Sequence, residues 1–199
     1  MTNKSVNTIK IFMEHIKNAD TEHFIRSILF CFGAPTIKGL KASTLINFRR
    51  NQDEDMRTLW KLNASKWLDS LGVEWLLLNE REKNYNALVM IYRRELLARA
   101  LNCDKACEIL KSQGYPLNNL DSCLECLRKK FCSGFPHEIG LFLDYPPDDV
   151  KAFMENRRAK SLLKSSYWKV YSNIRKARRT YRKYKRAEYD AARLILAGQ

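Results

Sequence analysis

Apolar residues along this chain recur mostly at offsets of three and four, the period of a helix lying against a core. Ile9, Phe12, Met13 and Ile16 share one such face. Asp20 then offers an N-cap to a second helical stretch through Phe24, Ile25, Ile28 and Leu29, which stops at Gly33. Met56, Leu59, Trp60, Trp67, Leu68 and Leu71 describe a longer amphipathic helix ending at Gly72, a residue suited to a left-handed cap. Stripes at this spacing normally pack, so both tryptophans are assigned to the core rather than to ligand stacking. Helical patterning returns over residues 94–101, 104–113 and 120–131.

Between these helices the pattern changes. V-E-W-L-L-L (73–78) and A-L-V-M-I-Y (87–92) are short apolar runs suited to a pleated surface, and the polar link between them predicts a pair of strands. S-T-L-I-N-F (43–48) and Y-W-K-V-Y (167–171) predict two more. The mixture points to a helix-rich α+β fold: a small, mostly antiparallel sheet with helices against one face. A chain of 199 residues, 45% of them hydrophobic, can bury one substantial core. A single domain is therefore expected, with an N-terminal helical pair over 1–33, an α+β body over 34–171 and a basic C-terminal helix over 172–199.

Composition narrows the setting. The apolar runs, such as those around Ile28 to Phe32 and over 87–92, are far short of the roughly 18 residues that suggest a membrane span. No N-terminal stretch reads as a secretory leader, so a soluble cytoplasmic protein is expected. Six cysteines in a chain of this size, without an export signal, read as reduced thiols.

Charge is unevenly spread. From residue 151 onward there are fifteen Lys or Arg against three Asp or Glu, a balance of +12 within a whole-chain charge of +14. In the last segment Ile174, Ala177, Tyr181, Tyr184, Ala191 and Ile195 form an apolar stripe. Arg175, Lys176, Arg178, Arg179, Arg182, Lys183, Lys185 and Arg186 cover much of the remainder. Such a surface attracts phosphate backbones without base readout, or an acidic protein. The competing reading is a solvated face that keeps the protein soluble. No helix-turn-helix, zinc finger or RNA-binding signature accompanies it, and tyrosine and alanine make a poor membrane-inserting face.

The densest candidate chemistry lies in F-P-H-E-I-G-L-F-L-D-Y-P-P-D-D-V (135–150). Pro136 and Pro146 or Pro147 suit the first positions of two helices, with Asp148 and Asp149 in the first turn of the second. Leu141, Phe142, Val150 and Phe153 would fill the corner between them. An enzyme reading instead centres catalysis on His137, Glu138, Tyr145 and Asp149 and requires them to converge on a pocket. The zinc-protease pattern H-E-x-x-H fails, because Leu141 stands where its second histidine must be. The phosphate loop G-x-x-x-x-G-K-[ST] also fails in G-A-P-T-I-K-G-L-K-A-S-T, which leaves a looser anion contact at Lys38 or Lys41. Cys103, Cys107, Cys123 and Cys126 would supply a four-thiolate metal site if their helices were antiparallel neighbours; the alternative is small buried hydrophobes.

The run F-P-H-E-I-G-L-F-L-D-Y-P-P-D-D-V-K-A-F, followed by Y-W-K-V-Y, resembles a clostridial family of cytosolic proteins known only as a domain of unknown function. A-P-T-I-K-G-L-K-A-S-T-L (34–45) and A-L-V-M-I-Y-R (87–93) look like two further blocks of that family, so the resemblance runs from about Phe32 to Tyr184. It implies an identity without an activity or cofactor. Members often carry a cysteine before A-P-T, a cysteine cluster before W-K-V-Y and further cysteines in the last helix. Here Gly33 and K-S-S-Y (164–167) stand at the first two places, and the last helix has none. The chain looks like a divergent member. Three functional readings follow: a noncatalytic binder of nucleic acid or an acidic partner through the C-terminal helix, an enzyme or cofactor-handling protein centred on His137 and Glu138, and a metal or thiol accessory.

Overall fold

A computed structural model describes residues 3–49, 55–79, 86–163 and 167–198 of the chain. Its helices are α1 (Asn3–Ile16), α2 (Thr21–Phe32), α3 (Ala34–Ile37), α4 (Met56–Leu68), α5 (Arg94–Leu101), α6 (Asp104–Ser112), α7 (Leu120–Phe131), α8 (Ile139–Phe142), α9 (Pro147–Glu155) and α10 (Ile174–Leu196). Strands β1 (Ser43–Phe48), β2 (Glu74–Leu77) and β3 (Ala87–Tyr92) form one antiparallel sheet in the order β1-β3-β2. The helix-rich α+β fold is therefore the observed one. The register pairs Ser43 with Tyr92 and Phe48 with Ala87 on one side of β3, and Glu74 with Tyr92 and Leu77 with Val89 on the other.

Helices cover both faces of this sheet, not one. Side chains alternate along β3. Ala87, Val89 and Ile91 join Ile46, Phe48 and Leu77 in a core with α1, α2, α4 and the end of α10. Met90 and Tyr92 face the other way into a second core built by α5, α6, α7, α8 and α9. Both cores are needed because β3 is apolar at every position, and β2 at every position after Glu74, so neither face of the sheet can be left to water.

Local signals explain most element ends. Asp20 caps α2 by accepting from His23 N–H (2.8 Å), and Asn173 caps α10 by accepting from Lys176 N–H (2.9 Å). Gly72 adopts φ +61, the left-handed conformation that ends the α4 region after a short 3₁₀ turn. Gly33 ends α2 differently, at φ −77. Its need is space: a Cβ there would stand 2.3 Å from Leu29 O and 2.8 Å from Ile91 Cδ1. The tryptophans of α4 lie in the core, with Trp60 stacked on Phe48.

Two sequence expectations are corrected. Residues 167–171 do not add a strand to the sheet; the segment makes a single bridge, Leu163 with Val170. Its next amides, Tyr171 N–H and Ser172 N–H, both donate to Asp149 Oδ1 (2.9 and 2.8 Å) and so are not available to a ladder. Pro136 does not open a helix either: a turn over Pro136–Ile139 comes first, and α8 is one turn long. Pro147 does occupy the first turn of α9, with Asp148 and Asp149 beside it.

Candidate functional site

The four residues of the proline corner are divided among three separate contact networks. Arg157 Nη1 donates to Nε2 of half-buried His137 (2.8 Å), since a guanidinium has no acceptor, and the ring meets Phe153 edge-on. The Nε2 lone pair is therefore already engaged. Glu138 points inward, is 4% exposed, and accepts from Tyr115 Oη (3.0 Å) with Lys130 Nζ at 3.4 Å. Burial, then the Glu138 charge, pushes the Tyr115 hydroxyl well above the usual tyrosine range. Asp149, also buried, accepts from the indole N–H of Trp168 (2.9 Å) besides the two backbone amides. Tyr145 stacks on the opposite partner of that bond, its ring 4.9 Å from that of Trp168. Trp168 thus joins Tyr145 to Asp149, while His137 and Glu138 face elsewhere; the convergence expected of an active centre is not what these contacts build.

The thiols likewise remain apart from a common site. Cys103 is exposed, Cys107 and Cys126 are half-buried and Cys123 is buried. Cys107 Sγ donates to Leu101 O and Cys126 Sγ to Gly114 O. Burial, followed by Cys126 and Cys107, raises the Cys123 thiol to about 11, so it stays protonated as a small hydrophobe does. Among the described residues no three His, Cys, Asp or Glu side chains stand close enough to share a metal ion.

Helix α10 carries two different faces. Ala177, Tyr184, Ala187 and Ala192 are buried against the body. Arg175, Lys176, Arg178, Arg179, Arg182 and Lys183 are exposed. Among the described residues none of these six forms an ion pair; Arg182 Nε reaches only the carbonyl of Arg178. They spread over an arc of about 160° and roughly 12 Å of helix. Lys185 and Arg186 belong to another arrangement. Lys185 Nζ pairs with Glu188 (2.9 Å) and lies over the Tyr167 ring, and Arg186 pairs with Asp190 (3.0 Å).

Beneath α10 lies a constellation that the sequence shows only in fragments. The segment between α3 and β1 is pinned on both sides: Lys41 N–H donates to Pro35 O (3.1 Å) and Ala42 N–H to Asp144 Oδ2 (3.2 Å). This turns the Lys41 side chain inward, where it is 4% exposed. Its Nζ faces the rings of Tyr145, Tyr184 and Tyr167 at 5.5, 5.8 and 6.0 Å from their centroids. Burial lowers the Lys41 ammonium to about 8, against the opposing pull of Asp144 and Glu188. Tyr167 Oη donates to Glu188 (2.7 Å), a carboxylate on the buried side of α10. Sequence spacing gave Tyr145 to the corner and Tyr184 to an apolar stripe, and it gave Glu188 no role. The readable trace was the loose anion contact expected at Lys38 or Lys41.

The fold and these sites define a helix-rich α+β protein with two buried charge networks and one basic helix face. The chain belongs to the family described as Protein of unknown function (DUF3793), which matches residues 29–199 and so takes in the sheet, the second core, α10 and the part of the first core that follows Ile28. No curated protein and no solved structure matches it.

Proposed function

We propose that this protein is a noncatalytic cytoplasmic binding protein, one folded unit whose basic C-terminal helix holds a polyanion, nucleic acid in the first instance. The observation that carries the reading is the set of six exposed cations on α10, none of them in an ion pair among the described residues and only Lys176 within electrostatic reach of a carboxylate, Asp144. The chain's own acids on that helix, Glu188 and Asp190, are taken by Lys185 and Arg186, so they do not neutralise the outer face. Four of the six are arginines, whose planar fork matches phosphate oxygens. No helix among the described residues is long and apolar enough to cross a membrane.

Binding of this kind releases condensed counterion and needs no base contacts. Retention of the full chain on single-stranded and duplex nucleic acid is therefore expected to weaken steeply with salt. If all six cations meet phosphates, the log–log slope is about −4 to −5. Reversing Arg178, Arg179, Arg182 and Lys183 to Glu should abolish retention while leaving the helix content intact. Affinity indifferent to salt, or unchanged in the reversed variant, removes the reading. Retention on polyglutamate but not on nucleic acid would make the partner an acidic protein.

A further inference from the structure

Lys41 is a buried charge to which the protein gives no hydrogen-bonding partner. An ammonium has three donors. Among the described residues Nζ makes no hydrogen bond and no ion pair; it meets only the three tyrosine faces. The nearby carboxylates act on the Lys41 charge only at a distance: Asp144 accepts from Ala42 N–H and Glu188 from Tyr167 and Lys185, and neither bonds Nζ. Ring faces offset part of the charge but accept no conventional hydrogen bond, so a desolvated ammonium here destabilises the empty fold.

Lys41 opens on a cavity of about 530 Å³ that runs along the free edge of β1, between α2 and the underside of α10. That size lies within the usual range for small-molecule sites, and such sites pair an apolar lining with a few polar groups. Here Phe24, Ile28, Phe32 and Ile46 supply apolar wall, and Lys41, Arg49 and Lys185 outnumber the single carboxylate of Glu188. The three-tyrosine cage is already filled by the protein's own cation, so what Lys41 lacks is a negatively charged hydrogen-bond acceptor.

We propose that this cavity binds a small organic anion, its carboxylate or phosphate head on Lys41 Nζ and its apolar body along Phe24, Ile28, Phe32 and Ile46. The site is independent of the outer face of α10. It uses the inner residues Tyr184, Lys185 and Glu188, and none of the six exposed cations.

Calorimetry on the full chain with octanoate, octyl phosphate and octanol at pH 7 tests it. At least one of the two anions should bind tenfold or more tightly than octanol and raise the thermal midpoint. Which anion binds names the head group. Lys41→Met should weaken the anion at least tenfold and leave octanol unchanged. Asp144, Glu188, Lys185 and the three tyrosines also face Lys41, so the pH arm compares the wild type with Lys41→Met, which shares them all. Between pH 8 and 9.5 anion affinity should fall severalfold in the wild type only. As a measurement on the native chain, octanoate should protect Lys41, but not exposed Lys38, from acetylation mapped by mass spectrometry. The quadruple charge reversal on α10 should leave octanoate binding unchanged. Binding of neither anion, equal binding of octanol, full binding by a folded Lys41→Met, or an absence of protection at Lys41 each overturns the proposal.

Discussion

The proline corner and the tyrosine cage each bury a charged side chain, and they treat it in opposite ways. Asp149 is 2% exposed and its carboxylate receives three donors, from the Trp168 indole and the amides of Tyr171 and Ser172. Lys41 is 4% exposed and, among the described residues, its ammonium finds no hydrogen-bond acceptor. A buried charge saturated by hydrogen bonds is a fastener: here it ties the start of α9 to the segment entering α10. A buried charge left bare costs stability in the empty protein, so its presence is better explained by what it meets there than by what it holds together. The motif that looks most like chemistry in sequence spends its buried aspartate on a fastener, and the proposed anion site lies instead at the plain G-L-K-A-S-T stretch.

Substitutions break or sharpen this contrast, beginning with the fastener. Asp149→Ala leaves three part-buried donors without their acceptor and is expected to cost about 2–4 kcal/mol in urea denaturation, with Asp149→Asn recovering part of it. A loss below about 1 kcal/mol would show that the corner is not held this way. Glu138→Leu removes the acceptor from Tyr115 Oη and the partner of Lys130, at an expected cost of about 1–3 kcal/mol. Glu138→Gln should cost less, because an amide oxygen still accepts from Tyr115.

Lys41→Met should go the other way. At pH 7 the variant is expected to be at least as stable as the wild type, because an unpaired ammonium no longer has to be buried. The pH dependence has a definite sign. Lys41 holds its proton less firmly folded, at about 8, than unfolded, near its ordinary 10.5, so between these values the unfolded chain binds more protons. Folding of the wild type is therefore favoured progressively as pH rises. Relative to Lys41→Met, the wild type should gain about 1–2 kcal/mol from pH 8 to 9.5. Taking the difference cancels Cys31 and Cys123, which burial raises and which oppose the trend in both proteins. The smallest effect is expected for His137→Gln, within about 1 kcal/mol, since it loses one side-chain bond to Arg157 and the edge-on ring contact with Phe153 at a half-buried position.

Much of the architecture was legible. β1 and β3 begin and end at the residues where the apolar runs do, and α7 matches its periodic stretch. The Asp20 cap and the inward face of α10 follow from short-range rules of the same kind. The two-sided covering of the sheet was also present in the unbroken apolar letters of 87–92, although a one-sided sheet was the expectation. The predicted fourth strand failed because β-propensity in W-K-V-Y says nothing about a carboxylate 22 residues away that takes its backbone donor. The candidate site was hardly legible at all. Lys41, Tyr145, Tyr167 and Tyr184 come from four distant parts of the chain, and a lysine in a polar loop reads the same whether it ends in water or in a cage.

Periodicity, caps and charge balance are relations among residues a few positions apart. The sequence by itself therefore determined where most of the helices and strands lie and that the last helix would carry an excess of cations. Whether a given charge is neutralised depends on side chains brought together across the fold. Only the tertiary structure decided that Asp149 is saturated, that Lys185 and Arg186 are paired while six neighbours are not, and that Lys41 stands bare at the edge of a cavity.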